Sequence, residues 1–269
     1  MRLFDAHNHL HDKRLALSPD DLIAECVSSG VVAAVVNGTA EDDWDEVLSL
    51  AQRNPVVVPS FGLHPWRFPS RSPEWLDSLV RNLRSIPSGV GEIGIDRWRI
   101  DLDPKEQESV FMAQVEIAQQ ESRPMSIHGL RAWGRLHELL RGVRIPQCGF
   151  LLHSYGGPPE MVPQFASLGA YFSFPGSFLN PGREMKIAAF AAVPAERLLL
   201  ETDAPDQCLP PAMDRYALTS PQDGKRTNHP ANIRALYEGY AESQGLELSA
   251  LSAQLERNFR ALFGALLRA

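Results

Sequence analysis

A single (β/α)8 TIM barrel followed by two C-terminal helices is the fold class the sequence predicts, on three observations. Apolar, β-branched runs recur along the chain with amphipathic stretches between them. Their order is strand then helix throughout, as a parallel sheet with crossover helices requires. Eight strands are reached before the pattern turns purely helical, which fits a (β/α)8 barrel, although a doubly wound sheet with one edge unit would alternate in nearly the same way. The 269 residues, 44% hydrophobic and 22% charged, read as one domain spanning 1–269 with a full core.

In chain order the expected strands are Arg2–His7, Val31–Gly38, Val56–Leu63, Gly89–Asp96, Pro124–His128, Phe150–His153, Ala170–Phe174 and Arg197–Asp203. After the first, Ser18 is placed to cap a helix, with Pro19 at its first position, acids in its first turn and Gly30 just past its end. Pro73 and Pro104 should open the third and fourth helices in the same way. Beyond the eighth strand, Ala204–His229 is rich in Pro, Asp and Gly and lacks periodicity. A loop of that length inside a compact domain is usually functional. Two helices, Asn228–Gln244 and Ser249–Leu267, complete the pattern.

The start, MRLFDAHNHL, lacks the basic-then-apolar order of a signal peptide, and no run of 18 apolar residues follows. The expectation is a soluble, cytoplasmic protein with no membrane association. Cys26, Cys148 and Cys208 are widely spaced and form no C-x-x-C, so neither a disulfide framework nor a thiolate zinc site is indicated. A formal charge of −7 argues against a broad basic face that coats nucleic acid, while leaving room for a local basic rim.

His7 and His9 flank Asn8 at the end of the first strand, where residues two apart share a face, so both imidazoles can reach one ion. Alone, such a pair is as readily two polar residues at a strand end. Its weight comes from company. Glu92 in GVGEIGID, His128 in PMSIHG, His153 in FLLHSY and Asp203 in LLLETDAP are all expected at the C-terminal ends of later strands, the rim where barrel enzymes place their chemistry. A charge finishing a buried apolar strand is costly unless it is paired or coordinates a metal.

Imidazole and carboxylate without thiolate suit divalent zinc, manganese or magnesium, the four imidazoles weighing toward the first two. Six ligands exceed the needs of one tetrahedral catalytic ion that also keeps a water, so two divalent ions sharing a bridge are expected. The four lysines, Lys13, Lys105, Lys186 and Lys225, end no strand, which leaves Glu92 as the bridging candidate. Asp203 could both ligate and take the proton of an attacking water.

FDAHNHL, FGLHPW, GEIGID, SIHG, LLHSYGG and LLLETDAP, in this order over residues 4 to 205, resemble the TatD family of metal-dependent deoxyribonucleases within the amidohydrolase-like barrel superfamily. The resemblance implies His7, His9 and Asp203 on one metal, His128 and His153 on the other, and Glu92 between them. It also implies His64 near the mouth as a phosphate or water contact. Departures bear on substrate: the family commonly reads His-Thr-Arg and His-Cys-Phe-x-Gly where this chain has HGLRAW and HSYGG. After the eighth strand GKRTNHP stands where the family often has Arg-Gly-x-x-Asn-Glu-Pro, with His229 in place of the acid.

Arg67, Arg71, Arg97, Arg99, Arg131, Lys225 and Arg226 follow strand ends and could form a cationic rim for a phosphate chain, or be ordinary solvated side chains. Trp66, Trp98 and Tyr155 share those loops and could stack on unpaired bases or pack against neighbouring loops. On this reading His64, Arg131 and Tyr155 are the candidate substrate contacts, whereas His11, His137 and His229 are surface or helix-face residues. Three functions compete: a nuclease trimming single-stranded or damaged DNA from the 3′ end, a small-molecule amide, lactone or phosphoester hydrolase, and a barrel that serves as the partner-binding component of an assembly.

Overall fold

The structure, a computed structural model, describes residues 1–268. Eight strands pair in parallel in strict sequence order: β1 (Leu3–Asn8), β2 (Val31–Asn37), β3 (Val57–Phe61), β4 (Gly89–Asp96), β5 (Met125–Leu130), β6 (Phe150–Leu152), β7 (Ala170–Pro175) and β8 (Leu198–Glu201). A doubly wound sheet would reverse its strand order part-way, so the sequential order decides for the barrel. No ladder joins β1 to β8 among the described residues. That seam is held by Asp203 N to His7 O at 2.9 Å, His9 N to Ala204 O at 2.7 Å, and the Asp5 carboxylate, which accepts from Thr202 N at 2.9 Å and Oγ1 at 2.6 Å.

The intervening helices are α1 (Pro19–Ser29), α2 (Glu41–Arg53), α3 (Trp75–Ser85), α4 (Pro104–Gln120), α5 (Trp133–Arg141), α6 (Val162–Ser167) and α7 (Glu184–Phe190), with α8 (Ile233–Gln244) and α9 (Leu248–Phe263) at the end. Local chemistry sets several of these ends. Ser18 Oγ accepts from Asp21 N, and Gly30, at φ 104°, ends α1 in the left-handed conformation its missing Cβ permits. Asp103 caps α4 by accepting from Lys105 N and Glu106 N, with Pro104 at the first position. The Pro73 expectation is corrected by two residues, since α3 begins at Trp75.

Strand alternation divides the core in two. Val57, Phe150, Leu152, Phe172 and Leu198 point outward and pack in the large cluster that includes the helices. Their neighbours Val58, Leu151, Tyr171 and Leu199 turn inward, joining Phe4, Val35 and the α9 residues Phe259 and Phe263. The inner face is therefore apolar at the α9 end. Further along the same alternation come Ser126, His128, His153, Ser173 and Glu201, which make the opposite end polar.

Every strand but β4 differs from its expected bounds by one or two residues at one or both ends. β8 ends at Glu201, so Asp203 lies past it, at φ 48°. The stretch 204–229 contains a short antiparallel hairpin, β9 (Leu218–Thr219) with β10 (Arg226–Thr227).

Candidate metal centre

The six residues singled out in the sequence converge at the polar end of the barrel, and the local backbone explains how. Between Val90 and Ile93 strand β4 carries one more residue than its partner segment Met125–Ile127. Such an insertion re-aims a side chain, and Glu92 sits in it rather than at the strand end expected. Gly94, at φ 148°, lets β4 approach β5 so closely that a Cβ there would lie 2.0 Å from His128 O.

Glu92 is the hub. Its Oε2 lies 3.2 Å from His9 Nε2 and 3.5 Å from His7 Nε2, while Oε1 lies 2.8 Å from His153 Nε2, 3.1 Å from His128 Nδ1 and 3.3 Å from His64 Nε2. Asp203 Oδ1 is 3.7 Å from the Nε2 atoms of both His7 and His9. Three groups could each hold an ion: His7, His9 and Glu92; His64, Glu92 and His128; His7, His153 and Asp203. The first two lie on opposite oxygens of Glu92.

Outer partners fix the rings of His9, His128 and His7. His9 Nδ1 donates to the Asn37 carbonyl at 2.7 Å, so in the neutral ring Nε2 presents a lone pair to Glu92. His128 is held the other way round: Nε2 donates to Asp96 Oδ2 at 3.0 Å and Nδ1 presents the lone pair. His7 Nδ1 meets Ser126 Oγ at 2.8 Å. The His153 Nδ1 is buried without a hydrogen-bond partner, 3.6 Å from Glu201 Oε1, whose carboxylate is occupied by Ser154 and Ser173. On both sides of Glu92, then, acceptor faces acceptor, and positive charge has to lie between them.

The protonation equilibria show the same demand. Burial works to raise Glu92, but the imidazoles around it, His64 and His153 foremost, hold it well below the usual carboxylate range. Burial lowers His9, yet the hydrogen bond and charge of Glu92, with Asp203, carry it up to about 9. His7, buried and facing His153, is pushed down to about 3. Burial pushes Asp203 up.

The site floors a cavity of about 1120 Å³, whose lining includes His64, Trp66, Trp98, Arg131 and Asp203. Other sequence expectations change. Tyr155 is fully buried, its hydroxyl donating to Pro158 O and its ring edge-on to Trp133 and Phe172, so it belongs to the core and does not face the cavity. The loop turns inward there because Gly157 leaves no side chain where the Tyr155 ring packs. His11 is buried near Asp43 and lines the cavity. His229 is also buried, stacked on Tyr216 and accepting from Ala231 N. His137 stays on the helix face expected of it, edge-on to Phe165.

The cationic rim is largely neutralised. Arg67 pairs with Asp42, Arg71 with Glu106, Arg97 with Glu108, Arg99 with Asp101, Lys225 with Asp223 and Arg226 with Asp214. Of that set only Arg131 makes no ion pair among the described residues. Lys13 and Arg183, not singled out in the sequence, line the cavity and are also unpaired there.

Residues 4–264 match the family model described as TatD related DNase. The chain belongs to this family. It is 30% identical over 264 residues to the 3′-5′ ssDNA/RNA exonuclease TatD of Salmonella typhimurium, covering 97% of this chain and 98% of that one. To the protein of the same name from Escherichia coli K12 it is 28% identical over 268 residues, covering 97% and 99%. Among solved structures, a TatD homologue from Escherichia coli K12 superposes with TM-score 0.86 at 24% identity over 98% of each chain. A TatD family hydrolase from Entamoeba histolytica does so with TM-score 0.82 at 19%, again over 98% of each. This TatD-family chain thus shares the barrel along its whole length. No helix among its described residues is long and apolar enough to cross a membrane.

Proposed function

We propose that the chain, as one domain over 1–269, is a metal-dependent nuclease that removes nucleotides from the 3′ end of single-stranded or damaged DNA. The observation that carries this reading is Glu92, with His7 and His9 on one oxygen and His128 and His153 on the other. A donor set of imidazoles and carboxylates whose lone pairs face one another fits two divalent cations, zinc, manganese or magnesium. In this reading His7, His9 and Asp203 would hold one and His128 and His153 the other, with Glu92 placed between them. When bound, such ions polarise a phosphoryl oxygen and lower the pKa of an attacking water.

The chain's own residues do the rest. Asp203, whose carboxylate reaches the cavity floor, accepts the proton that the attacking water loses. Arg131, with Lys13 and Arg183, binds the strand's phosphates, and His64 orients the scissile one or the water from its place beside Glu92. Asp96 and Ser126 keep the rings of His128 and His7 turned toward the centre.

A second reading, a small-molecule phosphoester, amide or lactone hydrolase, is favoured by the net charge of −7 and by the ion pairs that neutralise most of the rim. Elemental analysis of the purified protein, paired with nucleotide release from a 3′-labelled single strand in zinc, manganese and magnesium, separates the two. About two ions per chain with release supports the nuclease; ions without release moves the substrate to small molecules.

A further inference from the structure

We propose that Trp98, seated against Trp66 at the cavity mouth, is a stacking platform for the 3′-terminal base of the bound strand; the proposal rests on the nuclease reading above. Large apolar side chains left exposed beside a catalytic cavity mark binding surfaces. Here Trp66 is 39% exposed, Trp98 52% and Leu130 38%, and all three line the cavity that holds the candidate metal centre.

The pair is built into the site by hydrogen bonds. One carboxylate, Asp96, takes Trp66 Nε1 at 2.8 Å and His128 Nε2 at 3.0 Å on Oδ2, and Trp98 N at 2.7 Å on Oδ1. Trp66 is thereby anchored by its edge, with its ring centroid 6.4 Å from that of His128 and 6.0 Å from that of Trp98. Asp96 thus fixes a metal-facing imidazole and an aromatic pair as one unit, close enough for a single nucleotide to place its phosphate at one and its base at the other. Arg99 lies over Trp66, at 5.8 Å from the ring centroid, and leaves Trp98 the more open of the two.

What occupies the platform follows from charge. Arg131, adjoining Leu130, is unpaired and lines the same cavity, as are Lys13 and Arg183. Apolar rings beside free cations suit a flat heterocycle attached to phosphates, which is how single strands are held without sequence preference.

The test measures binding apart from catalysis. The metal-loaded protein is titrated, by fluorescence anisotropy, with a labelled short single strand whose 3′ linkages are phosphorothioate, ending either in a base or in an abasic sugar. The wild type should prefer the base-bearing end about tenfold. Trp98→Ala should erase the preference, Trp98→Phe should keep most of it, and circular dichroism should show all three folded. Equal affinity for the two ends, or an undiminished preference in Trp98→Ala, overturns the proposal even if the protein releases nucleotides. A base preference in a protein that releases none sustains the platform and removes the nuclease reading instead.

Discussion

Asp96 Oδ2 stands 3.0 Å from His128 Nε2, on the opposite side of the imidazole from Glu92. A carboxylate in that position fixes the tautomer and raises the basicity of the nitrogen facing the centre. Asp96→Asn keeps the shape and removes the charge. Its affinity for zinc or manganese should fall about 10- to 100-fold at the His128 side, read by competition with a chromogenic chelator. Unaltered affinity would remove Asp96 from the site.

Asp203→Asn should lower nucleotide release by about 10²- to 10⁴-fold with the circular dichroism spectrum preserved, because a rim carboxylate serves chemistry more than packing. His7→Ala and His128→Ala should likewise abolish most turnover. His137→Ala, on the α5 face against Phe165, should turn over like the wild type. Full activity in the first three variants would displace the centre from where it is drawn.

Tyr155→Phe distinguishes a core residue from a substrate contact. The hydroxyl donates to Pro158 O at 2.7 Å, and its loss should cost about 1 kcal/mol of unfolding free energy in urea, with KM for a strand unchanged. A raised KM at constant stability would return Tyr155 to the cavity.

Arg131→Ala should reduce the slope of log affinity against log salt for a single strand by about 0.7, the share of one phosphate contact. Arg97→Ala should leave that slope nearly as it was, since Glu108 already neutralises the guanidinium. Equal slopes in both variants would strip Arg131 of its role.

His229 makes one contribution to the pH dependence of stability that lies outside the candidate centre. Burial, against an opposing pull from Asp214, pushes it down to about 4 from an ordinary value near 6.5, in keeping with Nδ1 accepting from Ala231 N. A histidine depressed in the folded state stabilises above its unfolded pKa, and that contribution is lost as pH falls from 6.5 through 4. His229→Asn retains a cap but cannot titrate. Between pH 7 and pH 4.5 it should lose less stability than the wild type; parallel losses would refute the assignment.

The barrel and its six converging residues were legible because both leave local signatures. A strand's apolar run and a histidine or carboxylate near its end need only a few neighbouring residues to be seen. What escaped was set by distant partners. Asp96 reads as one more acid in GEIGID until β5 brings His128 beside it, and Glu201 in LLLETDAP is overshadowed by Asp203 until Ser154 arrives from the loop after β6 and Ser173 from β7. The arginines after the strands looked free because acids elsewhere in the chain cancel them: Asp42 for Arg67, Glu106 for Arg71. Tyr155 sits in a loop by sequence, yet Trp133 and Phe172 claim its ring.

Because β1 meets β8 only across the seam, the ribosome must release Thr202 and Asp203 before His7 and His9 can be joined by the carboxylate that follows the last strand. A nascent chain halted within its first seven strands carries both imidazoles and lacks that acid. The six-residue centre is therefore completed only once the eighth strand and the residues just beyond it have been made.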